Sequence, residues 1–406
     1  MKLLNIFNAA IDAVGGKAAV QNELSQRQFM SPVYLVALGK AASEMTEGAI
    51  AALGDNLQQG LVLTKYDHLN AVLQSHPRLV CHESAHPVPD AASLQAGELL
   101  CDFVSSVPPN DCLLVLMSGG ASSLAEQLPS GMTLENLSDL SAFLLSSGLD
   151  ITAMNSVRRS LSCIKGGRLV HKVTAGSVLQ LAISDVPGDR MQDIGSGPLA
   201  LSDPATRMPE LPAWIRELQE KVPDMPGSDS AFAHIESKIV ASSELAKNTA
   251  INFAVAQGMT VQPVTGDLHN DVVFNAIQIA DVLLADDALP GIYIWAGEST
   301  VNLPDDAGRG GRNQHLAALL AEKISGCNLE ILCCATDGTD GPTADAGGYV
   351  TGETVTRATA AGLNISDSIA RADSGNVLEQ LGALVTTGPT GTNVMDLVIA
   401  EKSAAN

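Results

Sequence analysis

Aromatic side chains make up only 3% of the 406 residues, so the cores of this chain are built from Ala, Val, Ile and Leu rather than rings. Positive charge is also scarce. Lys and Arg number 23 against 45 Asp and Glu, and the net charge of −22 repels phosphate backbones and anionic lipid head groups. Neither nucleic acid nor a membrane is an expected partner, and a small anionic ligand would need a local basic pocket. The seven cysteines are odd in number and never spaced C-x-x-C, which excludes a disulfide framework and a zinc knuckle and fits a reducing cytoplasm. Long apolar runs are absent: Cys112–Met117 is strand-length, far short of the roughly 20 residues that span a bilayer. The opening MKLLNIFNAAIDAVGG spaces its apolar residues as on a helix face, unlike the core of an export signal. A soluble, cytoplasmic protein is expected.

What is present is 46% hydrophobic residues with 17% charged, enough for large cores, over a length that suggests two domains or three at roughly 150 residues each. A recurring unit of short apolar run, Gly- or Ser-rich loop and stretch of period 3.6 predicts strands joined by crossover helices. Tyr34–Leu38 leads into Gly39-Lys40, Leu61–Leu63 into Thr64-Lys65, Cys112–Met117 into Ser118-Gly119-Gly120, and Val178–Ile183 into Ser184-Asp185. A second series runs Lys238–Val240, Ile292–Trp295, Leu329–Cys334 and Ala383–Val385. The expected class is α/β with two domains, each a mostly parallel sheet flanked by helices. Prolines 204, 209, 212, 223 and 226 interrupt residues 203–229 around Trp214, which places the boundary there and gives domains 1–229 and 230–406.

One predicted helix carries Ala92, Ala96, Leu99, Leu100 and Phe103 on one face. A second is capped by Ser242 or Ser243, presents Ala246, Ala250, Phe253 and Ala254, and stops at Gly258; Met259–Val264 then reads as a strand.

Three apparent motifs do not survive their context. His82-Glu83-Ser84-Ala85-His86 matches H-E-x-x-H, but Pro87 and Pro89 break the helix on which two imidazoles would have to converge on zinc. Gly195-Ser196-Gly197-Pro198-Leu199-Ala200 resembles a dinucleotide fingerprint yet follows a polar loop rather than a strand, so it reads as a turn. Ser162-Cys163-Ile164-Lys165 lacks the companion motifs of serine acyl transfer, and no P-loop of the G-x-x-x-x-G-K-[ST] type is present.

Five loops combine glycines with charged or hydroxyl residues: Gly39-Lys40, Ser118–Ser123, Ser184–Asp189, Gly308–Asn313 and Thr336–Thr343. In open parallel sheets such loops surround the ligand crevice, and glycine lets backbone amides approach phosphate oxygens. Together they predict a phosphoryl-transfer site, which needs cations, glycine-lined space and a divalent metal on few carboxylates. Lys40, Arg309 and Arg312 are the cations placed for anions, and Asp185, Asp189, Glu298, Asp337 and Asp340 the carboxylates on candidate loops. Thr387 through Asn393 adds hydroxyls and amides.

These residues resemble the class II glycerate 2-kinases, whose C-terminal part is called the MOFRL domain and some of whose members have carried hydroxypyruvate reductase labels. The resemblance runs along nearly the whole chain. It rests on Ala37 through Ala42, Glu83 through Asp90 with His86-Pro87-Val88-Pro89, Asn155 through Arg158, Ile164-Lys165-Gly166-Gly167-Arg168-Leu169 and Ser184 through Asp189. Gly308 through Gln314, Thr336 through Thr343 and Thr387 through Val394 continue it. Ala121, Ser160 and Met395 stand where the pattern usually has glycine, histidine and asparagine.

The resemblance implies a Rossmann-like N-terminal domain, a MOFRL-type C-terminal domain, a site in the cleft between them, and transfer of phosphate from ATP with Mg²⁺ to the 2-hydroxyl of D-glycerate. Lys40 and Arg312 match the family's cleft lysine and arginine, and with Asp189 they are the expected catalytic residues. Ser118, Gly119, Gly120, Ser122, Ser123, Gly310, Gly311 and Asn313 are the expected nucleotide contacts, and Asp189, Asp337 and Asp340 the expected metal ligands. The alternative activity, NAD(P)H-dependent reduction of hydroxypyruvate, would need a dinucleotide fingerprint. The sequence does not fix the oligomeric state; a homodimer is compatible with it.

Overall fold

The computed structural model describes residues 1–146, 151–202, 210–227 and 229–404. Its first sheet holds β1 (Val33–Leu38), β2 (Leu57–Lys65), β3 (Leu79–Ser84), β4 (Cys112–Met117), β5 (Ser177–Ile183) and β6 (Ile235–Ala241). They lie in the order β3-β2-β1-β4-β5-β6, and the pairs from β3 to β5 are parallel. This is the doubly wound order in which the chain reverses its direction of travel between β1 and β4. A strand with helices on both faces has no polar side to show, and every residue of β4, CLLVLM, is buried. Helix Ala91–Ser106 crosses over from β3 to β4 and is fixed at its start by a capping box, in which the Asp90 carboxylate accepts from the Ser93 amide. Of the face expected on this helix, Ala96 and Leu100 are fully covered, while Leu99 and Phe103 pack at the core's margin.

The β4–β5 connection carries helices Leu134–Ser146 and Ile151–Ser160. Leu140, Val157 and Leu161 bury a satellite core there with Ile215 of helix Ala213–Gln219. Pro212 precedes that helix as its N-cap, so Trp214 sits in a regular element rather than in broken chain. Pro204 and Pro209 lie outside the described residues.

The second sheet holds β7 (Gly291–Gly297), β8 (Leu329–Ala335), β9 (Gly347–Thr351), β10 (Leu384–Val385) and β11 (Asp396–Lys402), in the order β10-β9-β8-β11-β7. Here the expectation of a mostly parallel sheet is corrected: β11 runs antiparallel to both β7 and β8, and β9 antiparallel to β8 and β10. The last strand enters between two parallel strands from the opposite end, and a run of apolar residues carries no mark of strand direction. Met259–Val264 is likewise not a strand. Only Val261 bridges to Ile292, through the Gln262 amide and the Thr260 carbonyl.

The chain divides into two compact units, Gly16–Val240 and a discontinuous one made of Met1–Gly15 with Ala241–Asn406. The expected cut at 229/230 differs from this at both ends. Strand β6 belongs to the first sheet, and helix Lys2–Val14 packs its buried face of Leu3, Ile6, Phe7, Ala10, Ile11 and Val14 against helix Ser243–Ala256 and β11. Among the described residues no single helix is long and apolar enough to cross a membrane.

Candidate active site

The loops after β1 and β4 meet at the point where the strand order reverses. The Lys40 amide donates to the Gly119 carbonyl at 2.9 Å and the Ala41 amide to Ser118 Oγ at 3.0 Å, so Gly39-Lys40 and Ser118-Gly119 are laced together. A side chain at Gly39, whose φ is +132°, would strike Ser118. Gly120 has φ of +84°, and a Cβ there would lie 2.9 Å from His86 Cδ2 and 3.2 Å from Lys40 Cγ. The bare face of Gly120 is therefore where Lys40 and His86 converge. Burial first, then the positive charges of Lys40, Lys65 and His68, lowers the His86 imidazole to about 4, so this ring is neutral near pH 7.

From this point a pocket of about 450 Å³ extends over His86, Gly120, Ser122, Ser123, Asp185, Gly195 and Ser196 to Asn155, Arg158, Glu126 and Lys165. The hydroxyls of Ser122 and Ser196 hydrogen-bond at 2.9 Å. The Gly195-Ser196-Gly197 segment is the turn its context suggests, all three residues having positive φ, and it is stitched to the Lys165-Gly166-Gly167 loop through the Gly166 and Gly167 amides at 2.9 and 2.7 Å. Glu126 and Lys165 form a buried ion pair, and Ser162 Oγ donates to the same carboxylate at 2.5 Å.

In the second unit the glycine-rich segments are bonded mainly to each other. Asp396 heads β11 opposite Gly297 of β7 and Ala335 of β8. Its carboxylate takes Arg312 Nε at 2.6 Å and Nη2 at 2.9 Å, while Arg312 Nη1 reaches Glu298 at 2.5 Å. Burial opposes the charge on Arg312, but Asp396 and Glu298 outweigh it and raise its pKa further. Burial also raises the Asp396 carboxyl, with Arg312 pulling it back down. Asp340 caps helix Arg312–Lys323 from another loop: its oxygens accept the Asn313 amide at 3.0 Å and the Gln314 amide at 2.8 Å. Burial pushes this carboxyl up to about 7 against those two bonds. Gly311 has no room for a side chain, since a Cβ would lie 2.3 Å from the Asp340 carboxyl carbon. A smaller pocket of about 160 Å³ opens beside Gly310, Gly311, Arg312 and His315.

The structure thus groups Lys40 with Ser118, Gly119 and Gly120, and puts Ser122 and Ser123 on the pocket wall. Gly310, Gly311 and Arg312 line the smaller pocket, and Asn313 sits in the capping network. Of the three expected metal ligands, Asp189 belongs to the first unit and Asp337 and Asp340 to the second. Asp189 lies at φ of +51° on the loop beyond Asp185 and does not line the pocket, whereas Asp185 does. The Asp337 carboxylate accepts from the Thr339 amide in an Asx turn, and both Asp340 oxygens hold helix amides. Among the described residues no three His, Cys, Asp or Glu side chains form a metal-binding cluster. Arg309 pairs with Asp345 and Glu379. Sequence reasoning missed Glu126 and Asp396, each of which interrupts or borders apolar residues, the one available sign of a buried charge. Met395, where the family pattern has asparagine, has φ of +70°, a left-handed conformation that asparagine adopts more easily than methionine.

Residues 2–223 match a family described as a domain of unknown function, DUF4147, and residues 291–396 match the MOFRL family. A D-glycerate 2-kinase of Thermotoga maritima is 36% identical over 98% of this chain and 96% of its own length. A protein of Agrobacterium vitis with a provisional hydroxypyruvate reductase name is 33% identical over 97% of this chain and 92% of its own. The crystal structure of a glycerate kinase from Thermotoga maritima superposes with a TM-score of 0.84 at 33% identity, covering 99% of each chain.

Proposed function

Because the chain belongs to the glycerate 2-kinase family, with DUF4147 and MOFRL matches along it, we propose that it transfers a phosphoryl group from ATP to the 2-hydroxyl of D-glycerate. The observation that supports this most is the meeting of Lys40 and His86 over Gly120 at the switch point of a doubly wound sheet. Lys40 meets the negative charge that develops on the transferring group. The missing side chain of Gly120 leaves room for phosphate oxygens beside it. Neutral His86 accepts a hydrogen bond from the attacking hydroxyl and orients it. In the second unit Arg312 is the further cation, its guanidinium fork fixed by Asp396 and Glu298.

Magnesium takes hard oxygen ligands and only one or two carboxylates. Asp185 with the Ser122 and Ser196 hydroxyls is a donor set of that kind on the pocket wall. The bound ion would neutralise phosphate charge. A dinucleotide-dependent reductase is disfavoured by the loop after β1, Gly39-Lys40-Ala41-Ala42-Ser43-Glu44, which has one glycine where a fingerprint needs three.

Purified protein given D-glycerate, ATP and Mg²⁺ is expected to feed enolase without added mutase, since enolase accepts 2-phosphoglycerate. Silence there, together with NADH oxidation in a parallel assay with hydroxypyruvate, would overturn the kinase reading.

A further inference from the structure

On the wall of the first unit's pocket Lys165 and Asp193 have partners of opposite charge, and Arg158 differs from them. Lys165 is neutralised by Glu126. Asp193 accepts from Arg159 at 3.2 Å and from Arg190 at 2.8 Å. Asp185 is the oxygen donor assigned above. Arg158, in the last turn of helix Ile151–Ser160, is half-buried on the same wall, and its guanidinium donates to the neutral Asn155 amide oxygen at 3.3 Å. Among the described residues it forms no ion pair with a carboxylate. Taking a guanidinium partly out of water without a counter-charge is unfavourable, and this chain has only 23 basic residues.

We propose that Arg158 is the anchor for the substrate's carboxylate and thereby makes this pocket select hydroxy acids over the corresponding neutral alcohols. The inference rests on the glycerate kinase reading and adds to it the residue that recognises the acid. A planar fork of N–H donors matches a carboxylate in two parallel hydrogen bonds, which an ammonium does not reproduce. Asn155 and Ser141, which line the same pocket, offer neutral hydrogen-bonding groups for the hydroxyls of a small polyol acid. The Glu126–Lys165 pair sharpens the selection. It cancels the charge of Lys165, the other basic residue that lines this pocket, and leaves Arg158 to meet the carboxylate.

The experiment compares D-glycerate with glyceramide, its neutral amide, by ADP release in the wild type, Arg158→Lys and Arg158→Gln, with the KM for ATP and the melting temperature of each. The wild type is expected to prefer glycerate by roughly 100-fold or more, as sites built around a polar partner do. Arg158→Gln should lose most of that preference through a higher KM for glycerate, with kcat and the KM for ATP little changed, because the carboxylate takes no part in the chemistry. Arg158→Lys should fall between, and it carries the comparison if the glutamine variant melts early. An active wild type whose preference survives Arg158→Gln, or a variant that loses ATP affinity instead, would overturn the anchor alone. A wild type silent on glycerate would overturn the activity and the anchor with it.

Discussion

The glycine loops of the two units have much the same composition, yet they answer different needs. Over Gly120 a side chain would meet the His86 ring and the Cγ of Lys40, side-chain atoms at the edge of a pocket. Over Gly311 it would meet the carboxyl and backbone of Asp340, and over Gly338 the carbonyl of Gly388 at 2.0 Å. Gly120 faces side chains and a pocket, whereas Gly311 and Gly338 face the chain itself. What separates them is the neighbour facing the missing Cβ, which a single segment of sequence does not contain.

The comparison breaks most visibly at Arg312. Sequence alone suggests that Arg312→Ala removes activity and leaves the fold intact, but the variant would strand a buried carboxylate. We expect it to lose activity and also about 3–5 kcal/mol of stability, the usual cost of removing one partner of a buried pair. The sign with pH follows from Asp396. Its folded pKa, already raised from 3.8, rises further without Arg312, while the unfolded value stays put. The deficit is therefore small below pH 4, where both states are protonated, and grows as pH climbs towards neutrality. Denaturant melts at pH 4 and 7 check it, and equal deficits at the two values would mean that Asp396 does not feel Arg312.

Lys40→Ala should show the opposite pattern, a fall in kcat of about 10²–10³-fold with little change in melting temperature. A loss of both would put Lys40 among the structural cations. Smallest is the paired test on the glycines themselves. Gly311→Ala forces backbone apart and should cost about 2–3 kcal/mol. Gly120→Ala should cost about 1 kcal/mol for its positive φ yet still remove activity by filling the space beside Lys40. Equal destabilisation by the two substitutions would erase the distinction between them.

The elements that can be read from sequence are those whose pattern is local. The apolar runs of β1, β4, β5, β7 and β8 and the loops that follow them are visible there, as is the cap at Ser242. The order of the strands is not, although it is what brings Lys40 beside Gly120. The antiparallel β11 is also hidden, and with it Asp396, which meets Arg312 across 84 residues. Such a pairing is set by sheet register, and no window short enough to show periodicity spans it. Arg158 can be seen as part of a family segment, but that no carboxylate among the described residues pairs with it is a property of the surroundings it folds into.

Helix Lys2–Val14 has a consequence for synthesis. It is made well before the surfaces that cover its apolar face, helix Ser243–Ala256 and β11, which are among the later parts of the chain. At roughly 5–20 residues per second, the wait for β11 is on the order of 20–80 s. During that interval the whole first unit can be translated and can condense on its own, while a greasy N-terminal segment stays unpartnered. Nascent chains stalled between the two units should therefore be the species that chaperones hold, and trimming the first fifteen residues should relieve that demand while leaving the finished second unit without one of its walls.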